Sequence, residues 1–209
     1  TDETTFDMDD QWLVGSDLLV KPVTERGQSK TTLYLPGKEK WFDVETFKGY
    51  APGRVTLNTP LEKIAVLQRA GSIIPRKMRL RRSSKLMIHD PYTLFIALDS
   101  SGSAEGVLYM DDEETFNFKN SNDFAHRRFE FHDNTMTSSS LSMGPQTFTA
   151  GNTIERIVVV GLNAAPRKVL LTSPTSKELS FEFQKATGLL TIRKPDVLAT
   201  GDFSVSFVV

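Results

Sequence analysis

Apolar side chains recur at every second position along most of this 209-residue chain, and that spacing admits little besides strands. Leu33 and Leu35 alternate in TTLYLP, and Phe129 and Phe131 oppose Arg128 and Glu130. Leu179, Phe181 and Phe183 alternate with Ser180 and Glu182, as do Phe203, Val205 and Phe207 with Ser204 and Ser206. Residues two apart share one face of a strand, so each of these segments predicts a half-buried strand. The denser runs TLFIAL (93–98) and IVVVG (157–161) predict central strands covered on both faces. Pro36-Gly37, Pro52-Gly53, Ser101-Gly102, Asp133-Asn134 and Gly201-Asp202 supply turn chemistry between them. Many short strands punctuated in this way predict an all-β chain of antiparallel sandwiches. Only residues 1–14 lack a strand pattern and admit a helical turn.

The bulk numbers narrow the function classes. With 25 basic and 26 acidic residues the net charge is −1, which gives no electrostatic footprint for nucleic acid or an anionic membrane. Cysteine is absent, so disulfides, thiolate nucleophiles and cysteine-based zinc sites are excluded. No Asn-x-Ser/Thr sequon occurs, and no apolar run approaches the roughly 18–20 residues that span a bilayer as a helix. The chain opens Thr1-Asp2-Glu3 without a methionine and closes on Phe207-Val208-Val209, which reads as a segment of something longer. A composition break at RKMRLRRSSK (76–85), six basic residues in ten, predicts a boundary loop between two sandwiches, its arginines bracing nearby carboxylates. An anion or partner site is the sharper reading of that stretch, and it lacks the interleaved aromatics a nucleic-acid site would use.

Candidate chemistry is sparse. YMDDEETFNF (109–118) sets Asp111, Asp112, Glu113 and Glu114 side by side. Consecutive strand residues point to opposite faces, so neighbouring acids cannot both aim at one substrate. The run therefore predicts an exposed turn between a strand at 107–110 and another at 115–118, and its spacing is not that of an EF-hand loop. His89, His126 and His132 form no metal-ligand pair at helical spacing and read as surface or turn residues. Trp12 and Trp41 have flat faces suited to a pyranose ring, but core packing is the default for tryptophan in a sandwich. No nucleophile elbow, P-loop or dinucleotide fingerprint is present.

Three stretches carry a family resemblance: DDQWLVGSDLLVKPV (9–23), LQRAGSIIPR (67–76) and LYMDDEETFNF (108–118). In their order and spacing they resemble the region that follows the catalytic barrel in glycoside hydrolase family 31. WFDVETFKGY (41–50) and YTLFIAL (92–98) extend the likeness, which weakens beyond about residue 150. Within the family, RKMRLRRSS and IERIVVVG look most like the α subunits of glucosidase II. The resemblance implies the end of a (β/α)8 barrel at 1–19, a proximal C-terminal β-sandwich at 20–89 and a distal one at 90–209.

It also implies a retaining α-glucosidase that trims α-1,3-linked glucose from N-glycans of glycoproteins in the endoplasmic reticulum lumen. Such enzymes use two aspartates about 5–5.5 Å apart; both sit in barrel loops that no residue here matches. No catalytic residue is therefore expected in this chain, no substrate-binding residue is assigned, and no cofactor or metal is implied. The implied partners are the barrel of the same enzyme, a regulatory β subunit and, through the parent enzyme, the glucosylated high-mannose N-glycan. In relatives the acidic turn has glycine where Glu113 stands, so Glu113 is expected to meet a backbone conformation it adopts poorly. The alternative to this whole reading is a free-standing carbohydrate-binding or partner-binding β-sandwich module.

Overall fold

A computed structural model describes residues 2–142 and 148–209. The strands of the first third are β1 (Trp12–Val14), β2 (Leu18–Lys21), β3 (Lys30–Leu35), β4 (Trp41–Asp43), β5 (Gly49–Tyr50), β6 (Gly53–Asn58), β7 (Ala65–Arg69) and β8 (Ser72–Lys77). After a loop with a 3₁₀ turn at Ser84–Met87 come β9 (Tyr92–Ala97), β10 (Ala104–Met110), the one-turn helix α1 (Asn117–Asn120), β11 (Ala125–His132) and β12 (Thr135–Ser140), so helical turns are not confined to residues 1–14 as expected. The last six are β13 (Thr153–Val160), β14 (Lys168–Ser173), β15 (Lys177–Leu179), β16 (Phe181–Gln184), β17 (Leu189–Leu198) and β18 (Phe203–Val208). The molecule is all-β, as the alternation predicts.

A five-stranded sheet in the order β1-β2-β7-β4-β5 faces the two-stranded ribbon β3-β6. Between them lie Leu19, Leu33, Leu35, Trp41, Leu57, Ala65 and Leu67, all buried. The alternating residues of β3 point Thr31, Leu33 and Leu35 inward and leave Lys30 and Thr32 in solvent. The remaining strands form one sheet of eleven, β15-β14-β18-β12-β11-β10-β8-β9-β13-β17-β16, closed around a second core. Leu94, Ile96, Phe129, Phe131, Ile157, Val159, Leu190, Ile192, Val205 and Phe207 fill it. Phe131 and Phe207 meet edge to face with ring centres 5.0 Å apart, the geometry aromatic quadrupoles favour.

A third cluster joins the two cores and explains the continuous apolar runs. Leu94 and Ile96 turn into the second core while Phe95 and Ala97, one residue along, turn outward onto Phe42 of the first sheet and Ala70 just beyond β7. In β13 the odd positions Ile157 and Val159 face the second core and the even positions Val158 and Val160 face the seam. Both strands are thus covered on both sides. They run parallel to each other, Ile157 beside Leu94, a local departure from the antiparallel pattern expected throughout. β8, which enters from β7 through Ala70 and Gly71, pairs antiparallel with β9 along its whole length, Ser72 beside Ala97 and Lys77 beside Tyr92.

Turn chemistry behaves as its residues require. Asp133 and Asn134, at φ +47° and +55°, make the two-residue connection from β11 to β12; left-handed backbone at both positions is what a type I′ hairpin needs. Gly106 in β10 lies so close to β8 that a Cβ there would sit 1.9 Å from the Ile73 carbonyl oxygen. Only glycine permits that approach.

Two expectations are corrected. Residues 115–118 are not a strand: the chain bends at Thr115, and Asn117 enters α1. The Phe116/Phe118 alternation that suggested a strand instead places two rings 6.1 Å apart. The N-terminal stretch is not purely helical or irregular either. A short 3₁₀ turn spans Glu3–Thr5, but Trp12–Val14 form β1 on the edge of β2, with Leu13 beside Leu19. Pairing to a neighbour stabilises it; its own sequence has no alternation to announce it.

Candidate functional site

The acidic run folds back on its own backbone. One Asp111 carboxylate oxygen accepts the Glu113 N–H at 2.8 Å. Asp112 Oδ1 accepts the N–H of Glu114 at 3.1 Å and of Thr115 at 2.9 Å, while its other oxygen takes the Thr115 hydroxyl. These are the side-chain turns short acidic residues favour. The Thr115 hydroxyl and the turn's amides hold the Asp112 carboxyl below the usual carboxylate range. Lys77 lies 3.7 Å from Glu113 and Lys85 lies 2.7 Å from Glu114, so each glutamate faces a cation. Glu113 takes φ +56°, the left-handed conformation that a glutamate adopts poorly.

The arginine-rich stretch braces carboxylates. Arg81 grips Asp90 with a fork, Nε at 3.0 Å and Nη2 at 2.7 Å. The Arg81 guanidinium keeps the Asp90 carboxyl low and is itself pushed up by it. Arg79 reaches Glu155 on β13 at 3.1 Å. Arg76 lies over the Phe95 ring, 4.6 Å from its centre. Between these anchors Met78, Leu80 and Leu86 stay in solvent.

The other candidates separate. His126 and His132 share the outward face of β11, at opposite ends of that strand. His132 contacts Ser103 and Asp133, whereas His126 meets the edge of Tyr109. His89 lies in the loop before β9. Among the described residues no group of three or more His, Cys, Asp or Glu is placed to hold a metal ion. Trp41 is fully buried and donates its indole N–H to the Pro36 carbonyl at 3.0 Å. Trp12 departs from the core default and is half exposed on β1.

β1 is the feature the sequence did not flag. Trp12, Leu13 and Val14 are 50%, 41% and 54% exposed, on a strand at the edge of its sheet. Three adjacent apolar residues on an open edge are what soluble proteins normally cover. The segment before it is tied down: Gln11 bonds Tyr34 twice, and Asp10 pairs with Lys21. Beside β1 opens a hollow of about 840 Å³ whose walls include Val14, Leu18, Ile74, Pro75 and Val107. Asp17, Arg69, Glu105 and Arg128 rim it. No periodicity could reveal this patch, because β1 is only three residues long.

Comparison with known proteins places this edge in a family. Residues 1–74 match the glycosyl hydrolase family 31 C-terminal domain. The chain belongs to glycoside hydrolase family 31. Its family 31 relatives carry the match through the second core as well. The neutral alpha-glucosidase AB of Dictyostelium discoideum is 46% identical over 204 residues, 96% of this chain and 21% of the relative. A solved glucosidase II alpha subunit with bound alpha3-Glc2 superposes with a TM-score of 0.89 at 32% identity, over 96% of this chain and 24% of that one. A heterodimeric complex of ER glucosidase II, its catalytic subunit with the binding domain of the regulatory subunit, gives a TM-score of 0.88 at 32% identity, over 96% and 23% of the two chains. The chain thus spans less than a quarter of each of these three proteins and corresponds to the C-terminal region of the family.

Proposed function

We propose that this chain is the C-terminal, non-catalytic part of a retaining α-glucosidase of the glucosidase II kind, which removes α-1,3-linked glucose from glycoprotein N-glycans in the endoplasmic reticulum lumen. The catalytic aspartates lie in a barrel outside these residues, where two carboxyl groups about 5–5.5 Å apart serve as nucleophile and acid/base. On this reading the chain enters from that barrel within residues 1–19, although β1 and the start of β2 in that stretch belong to the first sheet; 20–89 and 90–209 are the proximal and distal sandwiches, with β8 lent across the boundary to the distal sheet. The names of the relatives support the activity, and the complexed relative supports a regulatory β subunit as partner.

The observation that carries the role of this segment is the open apolar edge of β1. Covered by the barrel, Trp12, Leu13 and Val14 bury their apolar area and the edge finds its cover. The sandwiches then act as a buttress. The test uses the full-length protein with Leu13→Asp and Val14→Asp, each against Leu61→Asp at a fully exposed loop position. A buried unpaired carboxylate costs on the order of 2 kcal/mol or more. The edge variants should therefore melt earlier and lose hydrolysis of a nitrophenyl α-glucoside, while the loop variant matches the parent. Equal melting and activity in all three would remove the buttress role.

A further inference from the structure

Four neighbouring strands of the eleven-stranded sheet bring three arginines and a threonine into one row. Arg76 on β8 lies beside Thr93 on β9, Thr93 beside Arg156 on β13, and Arg156 beside Arg193 on β17. Residues directly opposite each other in a ladder project from the same face. That face also carries Phe95, Val158 and Leu189 into the seam between the cores, each an even number of positions from its strand's member of the row. A register shift between Ile154 and Arg156 is what turns Arg156 to this side, since Ile154, two residues earlier, points into the second core.

Thr93 is the informative residue. It is wholly buried, and among the described residues its hydroxyl has no hydrogen-bond partner. Buried hydroxyls ordinarily find one. The arginines on either side are unanswered too: among the described residues neither the Arg76 nor the Arg156 guanidinium makes a hydrogen bond or an ion pair. Arg76 spends its flat face on the Phe95 ring, 4.6 Å from its centre, which leaves the N–H groups at its edge free. Burial pulls that guanidinium below its ordinary value, against a smaller opposing pull from Glu45. The nearby carboxylates are engaged elsewhere: Glu45 with Lys63 at 3.3 Å, Glu155 with Arg79 at 3.1 Å and Glu182 with Arg193 at 3.6 Å.

The donor set selects the ligand. A cation is repelled, and a neutral sugar leaves both positive charges unanswered. A carboxylate has two oxygens, which one guanidinium fork consumes. A phosphate group offers three strong acceptor oxygens, so it can take N–H groups from both arginines while another oxygen accepts the Thr93 hydroxyl. Arg76 and Arg156 stand two strand spacings apart, about 9–10 Å, a gap that two arginine side chains can close around one tetrahedral anion. We propose that Arg76, Thr93 and Arg156 form a binding site for a phosphate group, free or esterified, on the seam-side face of the eleven-stranded sheet. The anion enters between the two flanking side chains, because Thr93 itself is covered.

The experiment is calorimetric titration of the full-length protein with inorganic phosphate and, in a second arm, with glycerol 3-phosphate, both at matched ionic strength. Saturable binding with a dissociation constant of about 1 mM is expected. Tighter binding of the ester would assign the phosphate to a larger molecule, and equal binding would assign the free anion. Thr93→Val, which keeps the shape and deletes the hydroxyl, and Arg156→Gln should each weaken binding about tenfold. Without phosphate, Thr93→Val should melt no lower than the parent, because it removes an unsatisfied hydroxyl. Added phosphate should then raise its melting temperature less than the parent's, a difference that a merely structural threonine would not produce. Hydrolysis of a nitrophenyl α-glucoside should be unchanged in both variants. Should Arg156→Gln fail to fold, Arg156→Lys, which keeps the charge and loses the fork, carries the comparison. No saturable heat up to about 20 mM phosphate, or heat unaltered by both substitutions, would overturn the proposal.

Discussion

The side-chain amide of Gln11 holds the backbone of Tyr34 from both ends of one residue: Nε2 donates to the Tyr34 carbonyl at 2.7 Å and Oε1 accepts the Tyr34 N–H at 2.9 Å. β3 pairs only with β6, so its other edge is open, and the carboxamide stands in for a missing strand. Each bond contributes about 1 kcal/mol. Gln11→Ala should cost about 1–2 kcal/mol in chemical denaturation and speed hydrogen exchange at the Tyr34 amide. Gln11→Glu, which keeps an acceptor and loses the donor, should fall between. Unchanged exchange at Tyr34 in Gln11→Ala would show that the clip contributes nothing.

Gly106 gives a sharper expectation. A methyl group there would meet the Ile73 carbonyl at 1.9 Å, and backbone on both sides must yield. Gly106→Ala should destabilise by about 3 kcal/mol through loosening of the β8–β10 contact. A loss below about 1 kcal/mol would mean that the sheet relaxes there more easily than its packing implies.

At Glu113 the expected sign is reversed. A non-glycine residue in the left-handed region carries about 1–2 kcal/mol of strain, and Glu113 sits there at φ +56°. Glu113→Gly relieves it, offset in part by the greater freedom of glycine in the unfolded chain and by the lost contact with Lys77. A net gain of about 0.5–1 kcal/mol is expected, read as a raised melting temperature. A lowered one would show that the Lys77 contact outweighs the strain.

Asp43 contributes to the acid limb of stability, alongside the lowered carboxyls of Asp90 and Asp112. Burial works against its ionised form, but the Thr46 N–H, the Lys63 ammonium and the Glu45 N–H prevail and hold its carboxyl below the ordinary value of 3.8. Its donors stand at 2.8 Å (Thr46), 3.0 Å (Lys63) and 3.0 Å (Glu45). A depressed folded value means that the contribution is fully present above the unfolded value and is lost as pH falls through the folded one. Stability should therefore decline below about pH 4, and Asp43→Asn should be less stable at neutral pH and flatten that decline. Equal acid limbs in the two proteins would refute the assignment.

What could be read in advance follows from how far each signal reaches. β11 and β18 announced themselves because one face is core and the other water, so burial is written as alternation over eight and six residues. The two-sided cover of β9 and β13 was legible as density of apolar residues, but their parallel pairing was not, since nothing local to either strand encodes its neighbour's direction. The Asp112 side chain captured the amides of Glu114 and Thr115 and bent the chain where Phe116 and Phe118 imitated a strand. The exposed edge of β1 was hidden by its shortness, and the Gln11 clip by being one residue acting across the fold.

The path of the chain through β8 bears on how this region would respond to a protease. The stretch from Met78 to Leu86 is exposed, with Leu80 wholly in solvent, and a surface loop of this kind is where nicking concentrates. Yet the strand just before it lies between β9 and β10, hydrogen-bonded to β9 over six residue pairs, and cannot leave without tearing the second core open. A cut there would yield two bands on a denaturing gel and one particle in solution. The covalent join at the loop is dispensable for cohesion, and the two halves are held together by interleaving.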